Sequence, residues 1–511
     1  MSPLSGCRIA LRPARVQRIR AGLAPTRAML VASVLLAACS HPVGPDYVRP
    51  SSAVAAQWSS GTWRAARPAD DQPRGAWWTL YGDPLLNEFE QQALAQNLDL
   101  QAALARVTLA QAQVASVQAA LAPQIVAGAG ATRSRSSANR PYAVPNIATP
   151  STTQNEFNLS AAVHWEADLV GGVRRSIEAA QAAADQASAD VQTERLFLSA
   201  NVANTYLVLR GLDVDIAMLS RLAQAQEREL ALLRKKRAAG QANAFDVTTA
   251  EGVLASSRTQ LALQDSARGP VVASLAVLLG KPASEFAVEP GSLPGHVPVP
   301  PVGVPSDLLE RRPDVASAER AVAQSSALIG VATAARYPSL VLSAGGGGDS
   351  RLLSTLLQAP SVLWSIGASL AETVYDGGRI DANIRAAQAA QAVNVAHYRE
   401  TVLGAMGEVE SALGTEHALG LAMQAQQDAV DSAHRQRDLV QNEIQRGYAT
   451  ALDTLIAELA VTNAERVYAQ LQAQRLEASV YLVRSLGGDW KPAGDADRQG
   501  AIPGKQASRA P

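Results

Sequence analysis

The residue types in this chain that could do chemistry are six histidines, two cysteines, a run of four glycines and one close pair of carboxylates. A metal centre needs His, Cys or carboxylate ligands at spacings that a helix or turn can bring to one point. His41, His164, His296, His397, His417 and His434 show no such spacing, and both cysteines, Cys7 and Cys39, lie near the amino terminus. The glycines 345–348 lack the Lys-Ser/Thr pair that a phosphate loop requires, and read as the end of a strand. Glu166 and Asp168 are two apart, on one face of a strand, and suit a watery surface better than acid–base catalysis. No nucleophile sits beside a base. The chain is read as a non-enzyme without a metal site.

The one residue with a reaction written around it is Cys39. Arg8, Arg12, Arg15, Arg18, Arg20 and Arg27 precede an apolar run at 29–36, which ends in Leu36-Ala37-Ala38-Cys39. The run is too short to span a bilayer and reads as a secretory signal closed by small residues. With Leu three positions before the cysteine it resembles a bacterial lipoprotein signal. That resemblance implies cleavage after residue 38, acylation of Cys39 on sulfur and nitrogen, and stable lipid anchoring. Ser40 stands where an inner-membrane retention signal carries aspartate, which favours the outer membrane. Cleavage removes six Arg and no acid, leaving 39 of the 45 bases against 46 acids, a net of −7. Such a chain repels phosphate, so nucleic acid is excluded as a partner.

The elements that would carry a function come next. Hydrophobic residues make up 47% of the chain but aromatics only 4%, and Ala, Leu, Gln and Val dominate long stretches, as in long packed helices. The sequence is also written twice. At an offset of 207, Gly171 meets Gly378, Gly240 meets Gly447, Asp246 meets Asp453 and Leu279-Gly280 meets Leu486-Gly487. Upstream the offset is 215, with Asp99 on Asp314 and Pro123 on Pro338. The change of eight falls between Pro123 and Gly171, which marks two strands joined by a variable loop. Each copy reads helix, strand, strand, long helix, turn, helix. The expected divisions are a signal at 1–38, an extended segment at 39–76, repeat 1 at 77–287, a proline-rich linker at 288–305, repeat 2 at 306–490 and a disordered tail at 491–511.

In the first long helix Val202, Leu209, Ile216, Ala223 and Leu230 recur every seven residues, with Leu198, Leu212, Leu219 and Leu233 beside them, a coiled-coil seam. About 67 residues without a break make a helix of roughly 100 Å, far longer than a globular core needs. The strands alternate. Phe157, Leu159, Ala161, Val163, Trp165, Ala167 and Leu169 oppose Asn158, Ser160, Ala162, His164, Glu166 and Asp168, which suits a barrel strand between lipid and a watery lumen. His164, Glu166 and Asp168 are the lumen candidates. Trp364, Ile366, Ala368 and Leu370 repeat the pattern in the second copy. Four strands cannot close a barrel, and an open edge in lipid leaves backbone groups unpaired, so several chains must share one.

These features, with Trp77-Trp78, Asp83-Pro84-Leu85, Asn97-Leu98-Asp99-Leu100, Trp165-Glu166-Ala167-Asp168-Leu169, Leu308-Leu309-Glu310-Arg311-Arg312-Pro313-Asp314, Tyr375-Asp376-Gly377-Gly378-Arg379 and Ser485-Leu486-Gly487-Gly488-Asp489-Trp490, resemble the outer-membrane efflux proteins. The closest group is the lipoprotein outer-membrane factors of tripartite drug pumps, and the likeness spans nearly the whole mature chain. It implies a mainly α protein with a membrane β part. A homotrimer would close a twelve-stranded β-barrel and a twelve-helix α-barrel that extends into the periplasm. The implied partners are outer-membrane lipid, a periplasmic adaptor and an inner-membrane transporter of the RND type, which supplies the energy, so that this chain needs no cofactor or nucleotide.

The family's tunnel closes at the helical hairpin tips, here 239–246 and 446–453, with Gly240 and Gly447 at the turns. Relatives carry an inward leucine at the second tip, then an aspartate four residues on and an arginine three further. Aligned on Gly447, these fall on Leu452, Ile456 and Leu459, so the leucine is kept and both charges are lost. An apolar ring of Leu452 and Ile456 is therefore expected to close the pore by dewetting, with Asp453 and Arg446 as polar latches. Packing of these side chains between helices is the competing reading. Because Phe245 faces Leu452 and Thr249 faces Ile456 between the copies, the two hairpins are expected to open unevenly. A periplasmic adaptor or scaffold lipoprotein without a pore remains the alternative function, and would need β-rich sections flanking a single hairpin.

Overall fold

The computed structural model describes residues 42–51, 57–58, 61–62, 75–138, 151–298 and 312–488. Cys39 and the signal before it, Leu308 to Arg311 of the efflux-like segment, the connector beyond 298 and the tail from 489 lie outside the described residues. The chain forms two compact units.

The first unit, residues 123–175 and 330–376 with 42–44, holds one antiparallel sheet. Its strands are β1 (Gln124–Arg135), β2 (Thr153–Ala167), β3 (Ser339–Ser350) and β4 (Val362–Ala371), hydrogen-bonded in that order. The glycines 345–348 do not end a strand as their composition suggested. They continue β3 to Ser350, because β2 lies on one side of them, with Ala162 opposite Gly345 and Leu159 opposite Gly348, and β4 on the other. Residues 42–44 are held at the end of β2. Val43 N donates to Val170 O at 3.0 Å and Arg175 Nε donates to Val43 O at 3.1 Å.

The second unit is helical. It contains α1 (Pro84–Gln96), α2 (Leu98–Gln118), most of α3 (Gly172–Ala238), α4 (Ala244–Leu278), part of α5 (Pro313–Ala334), α6 (Arg379–Gln445) and α7 (Ala451–Ser485). Helices α3 and α6 are both 67 residues long, and α4 and α7 both 35, at the 207-residue offset throughout. The seam of α3 is buried at Val202, Leu209, Leu219, Ala223, Leu230 and Leu233. Around its middle pack Trp77, Trp78, Tyr81, Leu86, Phe89 and Leu476 of the principal core. Pro270 sits inside α4 instead of ending it, and Leu275 and Ala276 beyond it are fully buried, so packing outweighs the missing N–H.

Three of the efflux-like sequence segments lie at junctions. Asp83 caps α1, its Oδ1 accepting from Leu85 N at 2.9 Å, and Pro84 takes the first helical position, where its missing N–H costs nothing. Its other oxygen accepts from Tyr206 Oη at 2.6 Å. Asn97 caps α2 and its amide donates to Leu278 O, at the end of α4, at 3.0 Å. At the matching position of the second copy stands Arg312, buried, which donates to Ser485 O, at the end of α7, at 3.0 Å, and pairs with Asp314 and Glu408. One junction is thus tied twice, by an amide and by a guanidinium.

Glu90 on α1 is fully buried, and among the described residues neither carboxyl oxygen has a hydrogen-bond partner. Burial pushes its carboxyl well above the ordinary value of 4.5. As pH rises past 4.5 the unfolded chain gives up this proton first, so the contribution is full below that value and is lost toward the raised folded value. Glu90→Leu should therefore stabilise the protein at neutral pH by about 1–3 kcal/mol and flatten this slope, as read by chemical unfolding across pH.

Candidate functional site

Two places hold the site residues expected from the sequence, and the first is the sheet. Directly opposed residues of an antiparallel pair point to the same side, so the register decides which side chains share a face. Opposite Val163, Ala161 and Leu159 of β2 stand Ile125, Ala127 and Ala129 of β1, and Ala344, Gly346 and Gly348 of β3. Opposite Leu340, Ala344 and Gly346 of β3 stand Leu370, Ile366 and Trp364 of β4. One apolar face therefore crosses all four strands, and Ile125, Trp364, Ile366 and Leu370 are 67–78% exposed on it.

The other face carries Gln124, Thr132, Glu156, Asn158, Ser160, His164, Glu166, Ser343, Asp349, Ser365 and Ser369, interrupted by Val126, Val341 and Leu363. His164 lies opposite Gln124 and Ser343, and Glu166 opposite Val341. Gly128, Gly130, Gly345, Gly347 and Gly367 stand on this same face, which keeps its profile low.

Asp168 is not a strand residue. It lies just past β2, and its oxygens accept from Val173 N at 3.0 Å, Arg174 N at 3.1 Å and Arg174 Nε at 3.0 Å. Its carboxylate satisfies the open amides at the start of α3, a demand that ranks above continuing an alternation. Among the described residues no helix is long and apolar enough to cross a membrane, and no group of three His, Cys, Asp or Glu could hold a metal ion.

The second place is the pair of hairpin tips. Gly240 and Gly447 have φ of 74° and 77°, the left-handed region open to glycine. Gln241 N reaches back to Lys236 O at 2.8 Å and Tyr448 N to Glu443 O at 2.9 Å, which closes both helix ends in the same way. The following helices open with reciprocal caps. Asp246 N donates to Asn243 Oδ1 at 2.9 Å while Asn243 N donates to Asp246 Oδ2 at 3.2 Å. Thr450 N and Thr450 Oγ1 each donate to Asp453 Oδ2 at 2.7 Å. The Thr450 hydroxyl and amide hold the Asp453 carboxyl below its ordinary value, and Lys236 of the first hairpin adds to this.

Asp453 is thus occupied in a helix cap, which the spacing Thr450-x-x-Asp453 and its copy Asn243-x-x-Asp246 could have revealed. Arg446 is exposed at the end of α6. Leu452 is half-buried and packs against Leu230, Leu233, Val247, Ala250 and Leu254 of the first hairpin, beside an open cleft of about 400 Å³. Ile456, one turn on, is 47% exposed. Phe245 and Tyr448 are largely exposed at the two tips.

Sequence reasoning missed the polar centre of the helical unit. Asp213 is buried on α3 and accepts from Arg210 at 2.9 Å, from Arg268 of α4 at 2.7 Å and from Gly291 N at 3.0 Å. Arg210 also donates to Glu289 O at 2.8 Å, so the described part of the connector is pinned. A Cβ at Gly291 would press into the Arg210 guanidinium. Lower down α3, Asp215 accepts from Arg466 at 2.7 Å and Gln470 at 3.0 Å, joining the two hairpins.

The sequence model of the outer membrane efflux protein family matches residues 90–281 and 304–488. The pyoverdine export outer membrane protein OpmQ of Pseudomonas aeruginosa is 30% identical over 473 residues, covering 92% of this chain and 98% of that protein. The toluene efflux pump outer membrane protein TtgF of Pseudomonas putida is 29% identical over 477 residues, covering 90% and 95%. Among solved structures the outer-membrane channel OprN superposes with a TM-score of 0.77 at 28% identity, over 88% of this chain and all of that one.

Proposed function

The chain belongs to the outer membrane efflux protein family, and from that premise we propose that three copies close a single passage through the outer membrane. The protein is an outer-membrane channel component of a tripartite efflux system, not a periplasmic adaptor. The observation that carries the assembly is the sheet: four strands with one apolar face, one polar face, and edges at β1 and β4 that no strand among the described residues pairs. In lipid those edges must pair with another copy, and three copies give twelve strands. The apolar face then meets lipid. His164, Glu166 and the glycine-lined face border water, and their low profile leaves room for the exported molecule. The hairpins of three copies form the twelve-helix tunnel.

Residues 42–44 support a lipid anchor, because they are held at the end of β2 only three residues beyond Cys39, the proposed acylation site. The partners are a periplasmic adaptor and an inner-membrane transporter of the RND type, and the chain supplies the exit duct without catalysis. At the lower end, Ile456 is the best-placed apolar closure, Leu452 wedges the hairpins beneath it, Arg446 is the exposed charge, and Asp453 fixes the tip through its cap.

Gel electrophoresis of unheated outer membranes should show a band at three times the chain mass that collapses to one chain on boiling. Reconstitution of that species should give a water-filled channel in planar bilayers. A monomer that inserts nowhere would overturn the proposal.

A further inference from the structure

The loop between β3 and β4, residues 351–361, joins the strands at the end of the sheet opposite the connections to the long helices. It reads Arg351-Leu352-Leu353-Ser354-Thr355-Leu356-Leu357-Gln358-Ala359-Pro360-Ser361. A loop bathed in water gains nothing from four leucines, yet Leu352, Leu353 and Leu357 are 59%, 67% and 82% exposed. From Leu352 to Ala371 there is no charged residue at all. The corresponding loop of the first copy contains Arg140 and no leucine.

The direction in which the loop folds is visible at Gly348. This glycine shares the apolar face with Leu159 and Val362, and a Cβ built on it would run into the carbonyl of Leu356. Leu356 Cδ1 lies 3.4 Å from that same point, and Leu356 is buried there. Ser350, opposite Phe157 on the same face, shares a hydrogen bond of 2.6 Å with Thr355 Oγ1. The loop is therefore folded over the apolar face, not over the polar one.

Its backbone is also partly closed on itself. Two short 3-10 turns pair Thr355 N with Leu352 O, Leu356 N with Leu353 O, Gln358 N with Thr355 O and Ser361 N with Gln358 O. Leu352 N donates to Ser350 Oγ, and Ser361 Oγ donates to Thr355 O at 2.8 Å. Irregular backbone is costly in a lipid environment chiefly because its polar groups go unpaired, and these bonds remove about half of that cost. An outward fold, exposed leucines, absence of charge and internal pairing all point to one occupant.

We propose that the leucines of this loop insert among the acyl chains of the outer leaflet, as a second, protein-made anchor on the outer side of the membrane. The inference rests on the apolar face of the sheet meeting lipid, with which the loop is continuous. Arg351, at the base of the loop, is exposed and suited to the headgroup level. In a trimer the loop would occur three times around the barrel rim.

The test uses the mature chain, from which Cys7 has left with the signal and in which acylation blocks the Cys39 sulfur, reconstituted in phosphatidylcholine vesicles with one thiol-linked fluorophore at Leu353→Cys or Leu357→Cys. Quenching by lipids bearing a nitroxide high on the acyl chain is compared with quenching by aqueous iodide. Ser137→Cys in the other loop serves as the water reference, and Ile366→Cys in the middle of β4 as the lipid reference. The expected result is that both leucine positions are quenched several-fold more by the lipid nitroxide than Ser137→Cys is. Iodide quenching equal to that of Ser137→Cys, with Ile366→Cys still in lipid, overturns the loop anchor and leaves the barrel intact. Protection from both quenchers also overturns it, and assigns the leucines to a neighbouring copy. Iodide quenching at Ile366→Cys overturns the membrane reading of the sheet itself.

Discussion

Asp213→Ala is expected to destabilise the helical unit by about 3–5 kcal/mol, the loss typical of a buried ion pair stripped of one partner. Asp213 has 1% of its side chain exposed and serves Arg210, Arg268 and the Gly291 amide together. Its removal strands a guanidinium that is itself 6% exposed, where water cannot replace the carboxylate. Chemical unfolding at fixed protein concentration measures the effect. Asp213→Asn keeps an acceptor and should cost less than alanine. Asp213→Ala combined with Arg268→Met should recover part of the loss, because one stranded cation goes with it. Equal damage from the single and the double variants would show that the site is held by packing and not by charge pairing.

Ile456→Ser is expected to raise the closed-state conductance of the reconstituted channel, on the order of tenfold, by wetting an apolar constriction. Leu452→Ser alone should do less to conductance and more to stability, since Leu452 fills the contact with Leu233 and Val247. The double variant combines both effects. If Leu452→Ser with Ile456→Ser leaves closed-state conductance unchanged, the apolar closure is wrong and another ring shuts the tunnel. Asp453→Asn should loosen the cap at Thr450 without opening the pore. Uneven opening of the hairpins must also contend with the Asp215–Arg466 bond and the Leu452 contact, which couple the two hairpins of one chain.

Much of the architecture can be read along the chain because it is built from local regularities. A seven-residue recurrence such as Val202, Leu209, Ala223 and Leu230 makes a buried stripe whatever the helix meets. Glycine after a long helix, at 240 and 447, takes the left-handed turn because few other residues do so cheaply. The alternation from Phe157 to Trp165 requires two unlike faces on a strand. The duplication follows from comparing the chain with itself, and it is repeated in helices of 67 and 35 residues.

The rest depends on which distant segments come together. Asp213 and Arg268 are 55 positions apart, and Asp213 and Gly291 are 78 apart; no periodicity links them. Asp168 continues an alternation in sequence, but the open amides at the start of α3 claim it. Leu452 is one leucine among many until the first hairpin lies against it. The outward fold of residues 351–361 rests on Gly348, which leaves space only when seen in register with its neighbours. By itself the sequence determined the helices, the turns, the two-faced strands and their duplication, since each follows from residues within a few turns of one another. Only the tertiary structure decided the buried ion pairs, the face each loop covers and the partner of each tip residue, because those energies exist only once remote groups share a site from which water is excluded.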